Sequence, residues 1–279
     1  MRHHWFLASF YKLLLYIVLL VLAGVFIGPF LFLLSNSLKP EGSNIFVYPP
    51  KIIPNPLTFE NYVTSFIEFP FLRYALNSVI ITISIVAFNL ILCSLVAYPL
   101  ARIRFRGNKF VFYAILSTMM IPFHSIMIAL FITIVKLHLL GTYLGVILPF
   151  AISGFGVFML RQAFLGIPDE LEDAARIDGC DDFRIYYQIM LPLVQPALGT
   201  LALYTFVISW NEFLWPTIIL KESTMWTLQQ GLASLNGMFG INWTLLSAAT
   251  VLSMVPIIIV FLFLQRFFLE DYAAGAIKG

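Results

Sequence analysis

The sequence predicts an all-α membrane protein with six transmembrane helices, and three observations predict it. First, 61% of the 279 residues are hydrophobic, only 11% are charged, and the mean hydropathy is +0.94. A soluble domain carries about 25% charged residues, so this composition cannot cover a water-solvated surface in the usual way. Second, the apolar residues fall into six long segments, at about 13–34, 74–100, 110–135, 143–160, 196–220 and 244–268. A helix needs roughly 17–25 residues to cross a hydrocarbon layer, and each segment meets that length. Third, Arg102, Arg104, Arg106 and Lys109 fall within eight positions that hold no acid. Cytoplasmic loops are enriched in Lys and Arg, which places this loop and, by alternation, both termini inside. On that topology eleven basic residues lie inside and five outside.

Arg2, His3, His4 and Lys12 precede the run at 13–34, which imitates a secretory leader. A leader's apolar core spans only about 7–15 residues, so this longer run predicts a retained first helix. Residues 35–70 read as an outer loop with Pro49, Pro50, Pro54 and Pro56, closing on a short capped amphipathic helix at Leu57–Tyr62. Asn77 and Asn89 lie inside the second span. Pro122 interrupts the third, and Pro149, Gly154 and Gly156 predict a bend or a close helix contact in the fourth. A tight outer turn, Lys136–Thr142, joins those two spans, and a polar outer loop, Lys221–Trp243, precedes the sixth. Pro256 predicts a break there. Cys93 and Cys180 imply no disulfide framework and read as small packing residues. With no internal repeat visible, one domain over residues 1–279 is expected, which weighs against a secondary transporter built from inverted repeats.

Between the fourth and fifth spans lies a polar stretch, Pro168–Pro192, with seven of the fourteen acidic residues and only two basic ones. Pro168 suits the first position of a helix, and Asp169, Glu170, Glu172 and Asp173 follow near the positive end of its dipole. Leu171, Ala174 and Ala175 share one face by spacing. Gly179 is the expected left-handed stop, and Asp181 or Asp182 caps a second helix reaching Leu191-Pro192. A short polar helix–turn–helix between apolar segments reads as a docking element.

Chemistry of its own is not expected here. No glycine-rich phosphate cradle with a lysine is present, so any nucleotide energy must come from elsewhere. His3, His4, His124 and His138 lack metal-ligand spacing, and nothing points to a nucleic-acid partner. Glu212 is the single carboxylate within a predicted span. An ionisable group there faces a cavity or a partner, so it either lines a translocation path or pins helices together. Asn89 and Asn211 carry the same two readings.

The spacing Asp173-Ala174-Ala175, three residues, Gly179, nine residues, Ile189-Met190-Leu191-Pro192 resembles the EAA signature of ABC importer permeases. Asp173 stands where that family has Glu, with Glu172 directly before it. Asn77-Ser78, the turn from Ala97-Tyr98 to Gly107, Trp210-Asn211-Glu212-Phe213 and the closing Ala274–Gly279 are similar to the maltose-type carbohydrate permeases, second permease subunit. Ile128-Ala129-Leu130 departs from that pattern, since many relatives carry a second proline there. The resemblance covers nearly the whole chain. It implies a type I ABC importer permease fold in a prokaryotic cytoplasmic membrane, with a coupling helix in 168–192 formed by Glu172, Asp173, Ala174, Ala175, Gly179, Ile189, Leu191 and Pro192. It also implies a sibling permease subunit, two cytosolic ATPase subunits that bind the ATP, an extracytoplasmic solute-binding protein and a sugar substrate. The alternatives are the same architecture importing a glycerol phosphodiester, a secondary transporter and an intramembrane enzyme. The last needs a convergent catalytic set that Glu212 alone does not provide.

Reporter fusions at Gly107 and Gly279 should register cytoplasm, and fusions at Asn55 and Asn236 the outside. A cytoplasmic signal at Asn236 overturns the six-span topology.

Overall fold

The computed structural model describes residues 2–67, 69–237 and 240–276, with side chains at 11–67, 69–235 and 241–266. Among the described residues the regular structure is helical apart from one two-residue antiparallel pair, β1 (Asn236–Gly237) with β2 (Gly240–Ile241). The helices are α1 (Arg2–Ser37), α2 (Glu60–Ile67), α3 (Phe71–Arg102), α4 (Asn108–Thr118), α5 (Phe123–Lys136), α6 (Tyr143–Phe150) and α7 (Gly154–Leu165). They continue as α8 (Asp169–Ile177), α9 (Asp182–Leu193), α10 (Gln195–Asn211), α11 (Leu214–Ile219), α12 (Leu228–Ser234) and α13 (Trp243–Ala276).

Among the described residues three segments, Tyr11–Ser37, Phe71–Arg102 and Trp243–Arg266, are helical, long and apolar enough to cross a membrane. Three bent pairs bring the number to six if each counts once: α4 with α5 (98°), α6 with α7 (45°) and α9 with α10 (75°). The expected interruption at Pro122 is the largest of these bends. Pro122 is extended (φ −60°, ψ 134°), and a proline disfavours helical backbone in the residue before it. The expected break at Pro256 is absent, because α13 runs through it without interruption. A proline removes one helical hydrogen bond, and in apolar surroundings no water competes for the remaining ones. Nor is the fifth apolar segment, 196–220, a single helix. It comprises α10 and α11, separated at an extended Glu212 (φ −67°, ψ 123°). In the loop after α1, α2 starts at Glu60 rather than Leu57, because Thr58 Oγ1 accepts the Glu60 N–H at 3.1 Å.

Contacts group the chain into two compact units. The first comprises residues 1–71 and 232–254. Asn61 anchors its loop by donating Nδ2 to Ser37 O (2.9 Å) and Lys39 O (2.6 Å), while Phe46 meets Trp243 edge-on at 5.2 Å. No residue in the apolar window of α1 is buried within the chain, so that surface is left for lipid or protein.

The second unit comprises residues 72–231 and 255–279, and two apolar clusters of described residues lie in it. One gathers Cys93, Ala97, Leu160, Phe164, Ile185, Met190 and Leu201 from α3, α7, α9 and α10. The other gathers Ile81, Ile85, Val146, Trp215 and Ile219 from α3, α6 and α11. Glycine allows the close approach that the sequence predicts in the fourth span. A Cβ on Gly156 would lie 2.8 Å from Cys93 Sγ, 2.8 Å from Ser153 Oγ and 3.1 Å from Asn89 Oδ1.

Gly156→Val should therefore destabilise the protein by about 1–3 kcal/mol, the usual range for overpacking. Thermal unfolding in detergent measures this, and an unchanged midpoint would refute the tight seating of α7 on α3.

Candidate functional site

The acidic stretch folds as a helix–turn–helix whose turn is built locally. Pro168 is extended and caps α8 from outside (φ −58°, ψ 139°), one position earlier than expected. Gly179 has φ +81°, with Gly179 N donating to Arg176 O (3.1 Å) and Cys180 N to Ala175 O (3.0 Å). That left-handed stop is the one the spacing predicts. Asp181 Oδ1 then accepts Arg184 N at 2.7 Å and starts α9, which passes through a π turn at Tyr186–Met190.

The turn is attached to the bundle through charge. Arg102, at the end of α3, has a side chain only 5% exposed. It donates Nη1 to Asp169 and Nη2 to Ile167 O and, at 2.6 Å, to Phe164 O. Glu172 is buried, with Oε2 4.0 Å from Arg102 Nε and Oε1 accepting Arg176 Nη2 at 2.9 Å. Arg176 also reaches Asp182 Oδ1 at 2.7 Å. Hydrogen bonds to Glu172 and then Asp182 hold the Arg176 guanidinium above its already high ordinary range, so it stays charged.

This geometry splits the expected alanine face. Ala175 is buried in the core with Val157, Leu160 and Ile185, whereas Ala174, Leu171 and Asp173 are exposed. Successive helical residues lie about 100° apart, and α8 packs along its Glu172–Ala175 edge, which turns Ala174 outward. Ile189 and Leu191 pack against the same core, and Pro192 is exposed. Two residues outside the sequence-based set join the outward surface, Ile177 (87% exposed) and Phe183 (70%). Their apolar character, each flanked by an arginine and an aspartate, was the available signal.

A second feature is a cavity of about 170 Å³ lined by α3, α6, α7 and α10. It brings together two of the three predicted polar residues, Asn89 and Glu212, with Ser78, Thr82, Thr205 and Ser209. Phe155 and Tyr204, ring centroids 4.5 Å apart, form an aromatic wall. Asn211 is not part of the lining; it is exposed and donates Nδ2 to Val207 O at 2.8 Å. Both lining residues also serve the backbone. Asn89 donates Nδ2 to Phe150 O at 3.2 Å, where α6 ends, and Glu212 Oε1 accepts Trp215 N at 3.0 Å, where α11 begins. The segment after α11 folds over the N-terminal end of α3. Asn77 Nδ2 donates to Thr224 O (3.0 Å) and Trp226 O (2.8 Å), Leu228 N donates to Ser78 Oγ (2.8 Å), and Thr227 completes the lining. The closing Ala274–Gly279 motif lies outside the described side chains.

The family described as binding-protein-dependent transport system inner membrane component matches residues 89–272. Two arabinooligosaccharides transport system permease proteins AraQ are similar over most of their length. That of Halalkalibacterium halodurans is 43% identical over 81% of both chains, and that of Bacillus subtilis 37% identical over 97% of both. An sn-glycerol-3-phosphate transport system permease protein UgpE of Yersinia pestis is 32% identical over 82% of this chain and 85% of its own. Among solved structures, a bacterial ABC transporter involved in the import of the acidic polysaccharide alginate aligns with TM-score 0.81 and 25% identity, over 93% of this chain and 97% of that one.

Glu212→Gln keeps an acceptor for Trp215 N and should leave stability within a few tenths of a kcal/mol, whereas Glu212→Ala should lose about 1 kcal/mol, as for other helix caps. Melting of the two variants in detergent separates them, and equal losses would refute the capping role.

Proposed function

Because this chain belongs to the family of binding-protein-dependent transport system inner membrane components, we propose that it is one of the two permease subunits of an ATP-driven oligosaccharide importer. The observation that carries this reading is the outward surface of the α8–α9 turn. Leu171, Ala174, Ile177 and Phe183 present apolar area to water beside Asp173, on an element held in place by Arg102. Fully burying a Leu, Ile or Phe side chain gains roughly 1.5–3 kcal/mol, so Leu171, Ile177 and Phe183 each gain part of that on docking, and a cytosolic ATPase subunit provides the matching cleft. Asp173 faces that partner, and Glu172 faces the bundle. The complex contains this chain, a sibling permease, two ATPase subunits that carry all the ATP, and an extracytoplasmic binding protein. This chain itself needs no cofactor and performs no chemistry. Both termini lie in the cytoplasm, and the membrane is a prokaryotic cytoplasmic one.

The cavity accepts one sugar unit at a time. Phe155 and Tyr204 suit the apolar face of a sugar ring, while Glu212, Ser209 and Asn89 suit its hydroxyls. A phosphate ester is the second reading, kept open by the similarity to UgpE. The lining speaks against it, since it contains a carboxylate and no Lys, Arg or His. A phosphate beside Glu212 would meet like charge without a compensating cation.

Membrane vesicles containing the assembled complex should take up labelled arabinotriose when ATP is supplied, and excess sn-glycerol-3-phosphate should not compete. Efficient competition would favour the ester. Gly179→Val forces a β-branched residue into left-handed backbone, which costs about 1–2 kcal/mol, and should tilt α8 against α9. The ATPase subunits should then dissociate or hydrolyse ATP without responding to loaded binding protein, while insertion is preserved. Normal assembly with full stimulation would refute the docking role of the turn.

A further inference from the structure

Among the described residues, two buried donors near the docking turn are left without hydrogen bonds, Tyr98 Oη and Arg102 Nε. They lie four residues apart on α3, hence on one face and one turn from each other. A buried donor without an acceptor carries its full desolvation penalty, so an acceptor at this place in another state of the molecule would be bound strongly. One group is positioned to be that acceptor. Glu172 Oε2 is 4.0 Å from Arg102 Nε, just beyond a hydrogen bond, and Tyr98 packs in the same buried cluster as Ala175, three residues after Glu172 on α8. Asp169 is already engaged with Arg102 Nη1 and is otherwise solvent-exposed.

Closing 4.0 Å to a normal hydrogen bond requires a shift of about 1 Å. An ionised carboxylate has lone pairs for both donors at once. Nor would the move strand Arg176, which keeps Asp182 Oδ1 at 2.7 Å. The two positions of Glu172 differ in what they join. Paired with Arg176, it belongs to a cluster that ties α8 to α9, within the docking turn. Hydrogen-bonded to Tyr98 and Arg102, it would strengthen the tie between α8 and α3 that Asp169 already makes through Arg102.

We propose that Tyr98 and Arg102 form a second seat for the Glu172 carboxylate, occupied when the ATPase subunits close, so that Glu172 passes between Arg176 and α3 in each transport cycle. The proposal rests on the coupling role argued for the turn, and makes Tyr98 a positioning residue that acts through Glu172. Two discrete seats for one charge are a bistable contact of the kind that converts a small shift at an interface into a movement of packed elements.

The test uses the complete complex in nanodiscs, with ATP and the cognate binding protein loaded with arabinotriose. Tyr98→Phe removes a buried hydroxyl that has no partner in the resting seat, so assembly and KM for ATP should be unchanged and the melting temperature should stay level or rise. The stimulated kcat should fall about tenfold, the effect of losing one hydrogen bond to a charged group in one of two states. Adding Tyr98→Phe to Glu172→Ala should bring no further loss, because the hydroxyl would then have nothing to bind. A full stimulated rate in Tyr98→Phe overturns the proposal. So does a lowered melting temperature, which would give the hydroxyl a resting partner such as a buried water, and so do additive losses in the double variant. Wild-type permease that binds no ATPase subunit would overturn the coupling reading itself, and this proposal with it.

Discussion

The buried guanidinium of Arg102 sets where the polar turn can sit. An unpaired cation at 5% side-chain exposure would be costly enough to unfold its surroundings. Its partners come from three places: the carbonyls of Phe164 and Ile167 at and just beyond the end of α7, the Asp169 carboxylate that opens α8, and Glu172 one turn on. Helix C-terminal carbonyls favour a cation and helix N-terminal positions favour an anion, so one arginine satisfies both ends of a tight junction. The consequence is mechanical. A force on α8 reaches the end of α3 through a charged contact, without passing through a flexible linker.

The same economy governs the interrupted helices. Irregular backbone within a membrane is tolerated where protein or a cavity surrounds it. Here the break after α6 is served by Asn89 and the break before α11 by Glu212, and the small cavity lies between them. The two readings that the sequence leaves open for these residues, lining a path or holding helices, are therefore not exclusive. One carboxylate oxygen of Glu212 caps a helix, and the residue still contributes to the cavity wall. Asn211, its neighbour in sequence, is spent on its own helix because α10 turns it to the exposed side.

Much of the architecture was legible in the residue order. Hydropathy and segment length mark the apolar stretches because lipid imposes a simple requirement on any crossing segment. Gly179 and Asp181 announce the turn because positive φ and helix capping are local matters, decided by a few neighbouring atoms. Pro122 marks its bend for the same reason. The tertiary structure alone decided which face of α8 is free, since spacing places Leu171, Ala174 and Ala175 together but only packing chooses the edge that is buried. It likewise decided that Pro256 leaves α13 unbroken, that 196–220 is two helices, and that Glu172 points inward while Asp173 points out. Those outcomes depend on groups distant in sequence: Arg102 lies 70 positions from Glu172, and the Trp215 indole reaches Gly145 O at 3.2 Å across a similar gap. Local propensity is written in the order of residues, whereas burial is a property of what folds against them.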